Sequence, residues 1–123
     1  WYSREISCLR LGPLGAGMVF TQVVPSPWER KHEISREYQD ALHRYLPDVE
    51  PSYGGLEGYI TAKLLVSALR SAGRELSRAT LLRALERSTI DLGGLKVHYA
   101  PGDHPGSNFV DLTMVGRNER FIH

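Results

Sequence analysis

The adjacent residues Asp103 and His104 are the first pair in this sequence whose types could do chemistry. A carboxylate beside an imidazole can orient the ring and raise its basicity, as in a general acid–base pair. Neighbouring side chains on an extended chain, however, point to opposite sides. Two prolines and two glycines frame the pair, and these residue types suit a tight connection between strands. We therefore interpret residues 101–106 as part of a hairpin, with an active site as the alternative.

No recognisable nucleophile motif accompanies this pair. The sequence contains no Gly-x-Ser-x-Gly, and its single cysteine, Cys8, has no catalytic signature around it. One cysteine also excludes an internal disulfide and a four-thiolate zinc site. An enzyme that uses Asp103 and His104 is therefore the weakest of the functional hypotheses.

A metal site is the next chemical possibility. The residues that could ligate a metal are His98, Asp103, His104 and His123. They show none of the compact spacings that zinc sites have, and His98 is explained as a polar position of a strand. The sequence predicts neither a metal ion nor another cofactor.

Two further patterns suggest phosphate or DNA binding only weakly. The glycine-rich stretch 54–58 lacks the Lys-Ser/Thr of a P-loop, and the stretch 11–17 precedes a strand, whereas a dinucleotide-binding fingerprint follows one. Arg78, Arg83 and Arg87 could reach phosphates from a helix-turn-helix. The whole chain, however, carries 15 basic and 14 acidic residues, so we expect no nucleic-acid partner.

Tyr53, Glu57 and Tyr59 form a more specific constellation. They lie on or just after the stretch 51–55, at the predicted N-terminal end of a largely buried helix. Such an end offers free N–H groups and a partial positive charge to a ligand carboxylate. Tyrosines add an apolar wall and a hydroxyl donor. The alternative is structural, with Tyr59 in the core and Tyr53 covering a loop.

The first half of the chain has a strand followed by two helices. Residues 17–24 predict a buried strand that stops at two prolines, which leaves it without a partner nearby. Residues 32–47 predict an amphipathic helix with Ser35 as its cap. Its inner face is predicted to hold Ile34, Tyr38, Ala41, Leu42, Tyr45 and Leu46. After a loop at 51–55, residues 56–73 predict a helix that is apolar on several faces and ends at a glycine.

The second half has a shorter helix and then strands. Residues 78–88 predict a helix that Ser77 caps. Its inward residues are predicted to be Leu81, Leu82 and Leu85. Two strands at 93–100 and 108–116 are joined by the stretch 101–106, and residues 120–123 extend the second strand after a turn.

Length and composition fit a single domain. The chain has 123 residues, of which 41% are hydrophobic. No apolar run approaches the roughly 18 residues of a membrane span. The chain begins with Trp1 and its first residues do not read as a signal peptide, so we expect a fragment with no signal peptide of its own.

Taken in order, these segments resemble the C-terminal portion of a type I periplasmic binding protein, and more closely the branched-chain amino-acid (Leu/Ile/Val-type) receptors of ABC importers. The matching stretches are "GMVFTQVVPSP", "EYQDAL", "LEGYITAKLLVSALRSAG", "LSRATLLRALE" and "DLGGLKVHYAPGDHPGSNFVDLTMVG". The resemblance leaves residues 1–11 unassigned and makes 12–123 the C-terminal part of a periplasmic-binding-protein-like domain.

The resemblance implies an α/β fold: part of one lobe, with about three helices, a few strands and a C-terminal strand pair. Full-length members have two lobes joined by three crossovers, with the ligand between them. Residues 17–27 then correspond to a strand that runs into a hinge crossing, and 95–115 to the last crossover and its hairpin. The implied parent protein is periplasmic or extracellular and is not an enzyme.

The resemblance also carries Tyr53, Glu57 and Tyr59 over as ligand-binding positions. The implied partners of the full-length parent are a small-molecule ligand, an amino acid or related amide, and an ABC permease. The other main ligand contacts of the family lie upstream of this chain. We therefore expect the chain alone to associate into a homo-oligomer through unpaired strands. The alternative is a small structural or interaction domain that keeps the fold without binding a ligand.

Overall fold

The computed structural model describes residues 12–87, 89–116 and 121–122, and it has the α/β character that the sequence predicts. A short 3-10 turn at Gly12–Gly15 comes first. The helices and strands that follow are, in chain order, β1 (Val19–Gln22), α1 (Glu33–Tyr45), α2 (Tyr53–Ala72), α3 (Arg78–Glu86), β2 (Ile90–Asp91), β3 (Lys96–Ala100), β4 (Asp103–Gly106), β5 (Asp111–Val115) and β6 (Phe121–Ile122).

The strands form two separate antiparallel sheets, one in the order β1-β5-β6 and one in the order β2-β3-β4. In the first sheet, Val19 lies opposite Met114 and Gln22 lies opposite Asp111. The prediction that the strand at 17–24 lacks a partner is therefore wrong. Its predicted burial is also wrong, because Val19 is 59% exposed. Strand β5, about 90 residues away in sequence, supplies the missing pairing.

The hairpin predicted at residues 101–106 is confirmed, but its strands differ from those expected. Strand β4 follows β3 after a turn at Pro101 and Gly102, and Ala100 lies opposite Asp103. Gly102 has a φ of +80°, a conformation that glycine adopts without strain. Because the chain reverses there at once, β3 pairs with β4 rather than with the strand at 108–116. That strand, β5, pairs instead with β1 and with β6, which folds back onto it.

The core lies between α1, α2 and the sheet formed by β2 and β3. Its buried residues are Val24, Ile34, Tyr38, Tyr53, Leu56, Ile60, Leu92, Leu95 and Val97. The inner face predicted for α1 is therefore correct at Ile34 and Tyr38. It is wrong at the end of the helix, where Tyr45 and Leu46 are exposed because the core does not extend past Leu42. In α3, Ala84 is buried, whereas Leu82 is largely exposed.

The N-terminus of α1 is capped from a distant part of the chain. His32 occupies the N-cap position without a side-chain hydrogen bond. The Ile34 N–H donates instead to the Gly93 carbonyl at 3.1 Å. The prediction that Ser35 caps this helix is wrong, because Ser35 lies inside the helix and is fully buried. Capping by a carbonyl 59 residues away leaves no local sequence signal.

The turn that carries Gly93 is held by the Asp91 carboxylate. Its Oδ1 accepts hydrogen bonds from the N–H of Gly94 at 2.9 Å and of Gly93 at 3.0 Å. These two bonds, first that from Gly94, hold the pKa of Asp91 below its ordinary value. A lowered pKa means that the carboxylate stabilises the turn above the pKa of the unfolded state. This contribution is lost as the pH falls through the folded-state pKa.

Helix α2 begins earlier than the sequence predicts. Ser52 is its N-cap, and the Ser52 Oγ accepts a hydrogen bond from the Gly55 N–H at 3.1 Å. Residues 53–55 therefore form the first helical turn, although their glycines predict a loop. The predicted end at Gly73 is confirmed, with a φ of +78°. Ser77 also caps α3 as predicted, in a capping box with Thr80.

Ser77 and Ser35 are both predicted as helix caps, but replacing them with alanine is expected to change the free energy of unfolding differently. Ser77→Ala removes the capping box and is expected to lower the free energy of unfolding by about 1 kcal/mol. Ser35→Ala is expected to lose nothing, since the Ser35 Oγ has no hydrogen-bond partner within the described ranges. Urea unfolding followed by circular dichroism measures both. Equal losses in the two variants would contradict the assignment.

Candidate functional site

The first turn of α2 places Tyr53 against an aromatic side chain that the sequence analysis missed. The Tyr53 ring is buried and meets Trp28 edge to face, with ring centroids 5.3 Å apart and an interplanar angle of 87°. Trp28 is 43% exposed and directly follows the buried residues 24–27. An aromatic residue immediately after a Pro-x-Pro segment at the end of a strand is the signal that would have pointed to it.

Glu57 lies near Tyr53, whereas Tyr59 does not. At 100° per residue, Glu57 is about 40° around the helix from Tyr53, and Tyr59 is about 160° from Glu57. Glu57 is half-buried, and its backbone carbonyl accepts a hydrogen bond from Thr61 Oγ1 at 2.9 Å. The three residues singled out from the sequence are therefore divided between two faces of α2.

Tyr59 lies in the interface between α2 and α1. Its ring is 5.8 Å from the ring of Tyr38, at an angle of 53°. A half-buried ion pair between Lys63 and Glu37 also joins the two helices. The Lys63 ammonium is in addition 3.5 Å from the Leu92 carbonyl, so it reaches the turn after β2.

The surroundings of Tyr59 favour its neutral form. Burial raises the pKa of Tyr59 most, the negative charge of Glu37 raises it further, and Lys63 acts in the opposite direction. A raised pKa keeps the hydroxyl protonated at neutral pH. The Tyr59 hydroxyl therefore keeps the proton that a hydrogen-bond donor needs.

Tyr38 also fixes the start of α2. The Ser52 N–H donates to the Tyr38 hydroxyl at 3.3 Å, and the same hydroxyl lies close against Gly55. The first turn of α2 is thus held by Tyr38 on one side and by Trp28 on the other. A rigid helix start of this kind presents its N–H groups in a fixed direction.

Two chain segments that enter and leave the core lie side by side near this site. Because Gln22 pairs with Asp111, the segments 23–28 and 107–110 begin next to each other. Within the second segment the Phe109 N–H donates to Ser107 Oγ at 3.1 Å, and the Phe109 side chain packs against the core. The Phe109 ring also meets His32 edge to face at 5.9 Å. Both segments are therefore attached to the same body of the protein.

The other candidate chemistry lies partly outside the residues that the structure describes. Asp103 is exposed at the start of β4, and the side chain of His104 lies outside what the structure describes, as does His123. Within the described ranges, no group of three or more His, Cys, Asp or Glu side chains is placed to hold a metal ion. Among the described helices, none combines the length and apolar character of a membrane span. Aromatic walls and a helix start are features of binding, not of a nucleophile and base.

Comparison with known proteins finds one protein family and several solved structures of binding proteins that are similar to this chain. A family model described as "Periplasmic binding protein" matches residues 4–119. No curated protein gives a significant match. The chain is similar to the crystal structure of a possible leucine/isoleucine/valine-binding protein from Rhodopirellula baltica, with 35% identity, a TM-score of 0.82, and coverage of 97% of this chain and 33% of that one.

Two further solved structures are similar. A substrate-binding periplasmic protein from Ralstonia solanacearum has 31% identity and a TM-score of 0.77 over 87% of this chain and 31% of its own. An extracellular ligand-binding receptor from Verminephrobacter eiseniae has 28% identity and a TM-score of 0.78 over 89% and 31%. The chain thus spans about a third of the length of these proteins.

Proposed function

This chain belongs to the periplasmic binding protein family, and from that premise we propose that it is the C-terminal part of a receptor that captures an amino acid or a related amide for an ABC importer. The observation that carries the proposal is the aromatic pair of Tyr53 and Trp28 at the fixed start of the 20-residue helix α2. The ligand class is supported by the likeness to the protein from Rhodopirellula baltica.

The proposed ligand contacts are Tyr53, Glu57 and Tyr59, with Trp28 added from the structure. The N–H groups at the start of α2 attract a ligand carboxylate, and the exposed Trp28 ring covers an apolar side chain. The Glu57 carboxylate pairs with a ligand ammonium group. Tyr59, on the face of α2 that packs against α1, is proposed to donate its hydroxyl from that side. No bond is made or broken, so the proposed receptor is not an enzyme.

We propose that ligand capture uses closure of two lobes about crossing segments. The adjacent segments 23–28 and 107–110 are two such crossings, since both leave the paired strands β1 and β5 at the same level. Bending of these segments would move α1, α2 and α3 as a body over the ligand. The remainder of the receptor would supply the opposite wall. The receptor would be periplasmic or extracellular, and its partner would be the permease of the importer.

The chain alone lacks that opposite wall, so we propose that it self-associates. One face of the β1–β5 pair carries exposed apolar side chains. They are Val19, Val23, Val110, Leu112 and Met114. Contiguous apolar surface of this kind favours association. The strands themselves are paired, so the face of the pair, not a lone strand, is the surface involved.

Ligand binding by the whole receptor tests the proposed site. Trp28→Ala, Tyr53→Ala and Tyr59→Ala are each expected to weaken leucine binding about tenfold or more. Trp28→Ala removes an exposed ring, Tyr53→Ala removes the buried ring that holds Trp28 in place, and Tyr59→Ala removes the proposed hydroxyl donor. Isothermal titration calorimetry with leucine, valine and acetamide measures the affinity and the ligand class. Tyr45→Ala is the matched control, since Tyr45 is 70% exposed at the far end of α1. Unchanged affinity in the first three variants would remove the site assignment.

The second candidate is a small interaction domain that keeps the fold without binding a ligand. It is favoured by one observation, the exposed apolar face of the β1–β5 pair, which a partner protein could cover. Native mass spectrometry of the isolated chain separates the candidates. An assembly that carries an amino-acid adduct supports a rebuilt binding cleft, and a bare monomer supports the interaction domain.

A further inference from the structure

A groove at the opposite end of α2 from the candidate site carries unpaired positive charge. It lies between the end of α2, helix α3 and the β3–β4 turn, and has a volume of about 510 Å³. Its lining residues are Ser71, Ala72, Thr80, Arg83, Ala84, Glu86, Arg87 and Pro101. We call it the arginine groove. Ala72 comes 19 positions after Tyr53 in α2, so the arginine groove lies about 28 Å along the helix from Tyr53.

The two arginines of the groove act as a matched pair. Arg83 lies in α3, and Arg87 is its C-cap residue with helical backbone angles. Because they are four residues apart, they share one face and are separated by about 6 Å along the helix axis. Arg83 uses its Nε in a bond to the Ala79 carbonyl at 3.4 Å. Neither arginine forms an ion pair with a carboxylate in the described part of the chain. Their guanidinium groups therefore keep donors for an external anion.

The positive charge continues beyond the groove. Residues 70–87 contain five arginines against two glutamates, although the whole chain is nearly neutral. The three arginines outside the groove lining are Arg70, Arg74 and Arg78, and all are exposed. A small anion held by Arg83 and Arg87 cannot also reach these three. The charge distribution fits an extended, multiply negative partner.

We propose that the arginine groove binds an acidic, extended peptide segment of a partner protein. Alternate residues of an extended peptide lie on one side and are about 7 Å apart, which matches the spacing of Arg83 and Arg87. Ala72, Ala84 and Pro101 give the groove small apolar walls that a peptide backbone can approach. A nucleic acid fits less well, because the lining has no aromatic residue on which bases could stack.

Binding of a capped (Ser-Glu)4 peptide to this chain tests the proposal, with (Ser-Gln)4 as the neutral control peptide. Calorimetric titration at low salt is expected to detect the acidic peptide alone, with affinity falling as salt rises. The double variant R83E/R87E is expected to lose at least tenfold in affinity. K31E/R44E makes the same change in net charge on exposed positions at the two ends of α1, and is expected to lose less than threefold.

Circular dichroism and the thermal midpoint establish that both double variants are folded. Equal losses in the two variants would overturn the proposal, because net charge alone would then explain binding. Saturation of the groove by inorganic phosphate at the same concentration would overturn the peptide class. Binding to vesicles of anionic lipid but not to the peptide would also overturn it.

Discussion

Replacing Gly55 with alanine is expected to lower the free energy of unfolding by about 1 to 3 kcal/mol. A Cβ at this position would overlap the hydroxyl oxygen of Tyr38 and would lie 3.1 Å from its Cζ and 3.0 Å from Ser52 Oγ. Tyr38 is buried and cannot simply swing away. The clash therefore outweighs the gain of about 1 kcal/mol that alanine gives over glycine in a helix.

The same helix provides matched controls for this prediction. Gly54 and Gly58 have no heavy atom within 4 Å of an added Cβ. Alanine at either position is expected to leave stability unchanged or to raise it by up to about 1 kcal/mol. Tyr38→Phe should reduce the penalty of Gly55→Ala, since it removes the overlapping oxygen. Denaturant unfolding of the double-mutant cycle measures this coupling, and a penalty that persists unchanged would contradict the proposed clash.

Gly93→Ala is expected to have the second large effect and to lower the free energy of unfolding by about 2 to 3 kcal/mol. Gly93 has a φ of +92°, and alanine in this region is strained by about 1 to 2 kcal/mol. An added Cβ would also lie 3.0 Å from the Ile34 backbone nitrogen. The N-terminus of α1 must then shift by a few tenths of an ångström, which weakens the hydrogen bond from Ile34 to the Gly93 carbonyl.

Gly94 separates the two causes of this loss. Its φ is +88°, but an added Cβ meets nothing within 4 Å. Gly94→Ala is therefore expected to lose only the strain of about 1 to 2 kcal/mol. The difference between the two variants in thermal unfolding reports the crowding against α1. Equal losses would mean that the contact between the turn and α1 contributes little.

The sequence predicts the three helices because apolar spacing carries that information locally. Gly73 and Ser77 lie at the expected helix ends for the same reason. The start of α2 is missed because its glycines favour a loop, and the Ser52 cap together with the buried contact to Tyr38 overrides that preference. The cap of α1 is missed because Gly93 is distant in sequence.

Strand pairing is the part of the fold that local sequence patterns do not predict. The prolines and glycines of 101–106 predict a reversal, and the reversal is there. They do not say which strands it joins, because pairing depends on partners far along the chain. Strand β1 lies beside β5 because the intervening chain folds so that the two strands meet, and no local pattern in either strand indicates this.

The sequence predicts only part of the candidate site, because some of its contacts join residues that are distant along the chain. Residue type and the start of a helix identify Tyr53 and Glu57. The helical period, applied from the true first turn at Tyr53, separates Tyr59 from Glu57 onto another face. Trp28 is missed because its contact with Tyr53 joins segments 25 residues apart. Tertiary contacts of this length have no periodic signature.

The pairing of β1 with β5 has a consequence for the order in which the chain folds. Gln22 and Asp111 are neighbours, and 88 residues lie between them. Closing a flexible loop of that length costs on the order of 4 kcal/mol in chain entropy, more than a short two-stranded ribbon recovers. Once α1, α2 and the hairpin have folded, the two ends are already close and most of that entropy has been lost. We therefore expect the β1–β5 pairing to form last and to open first.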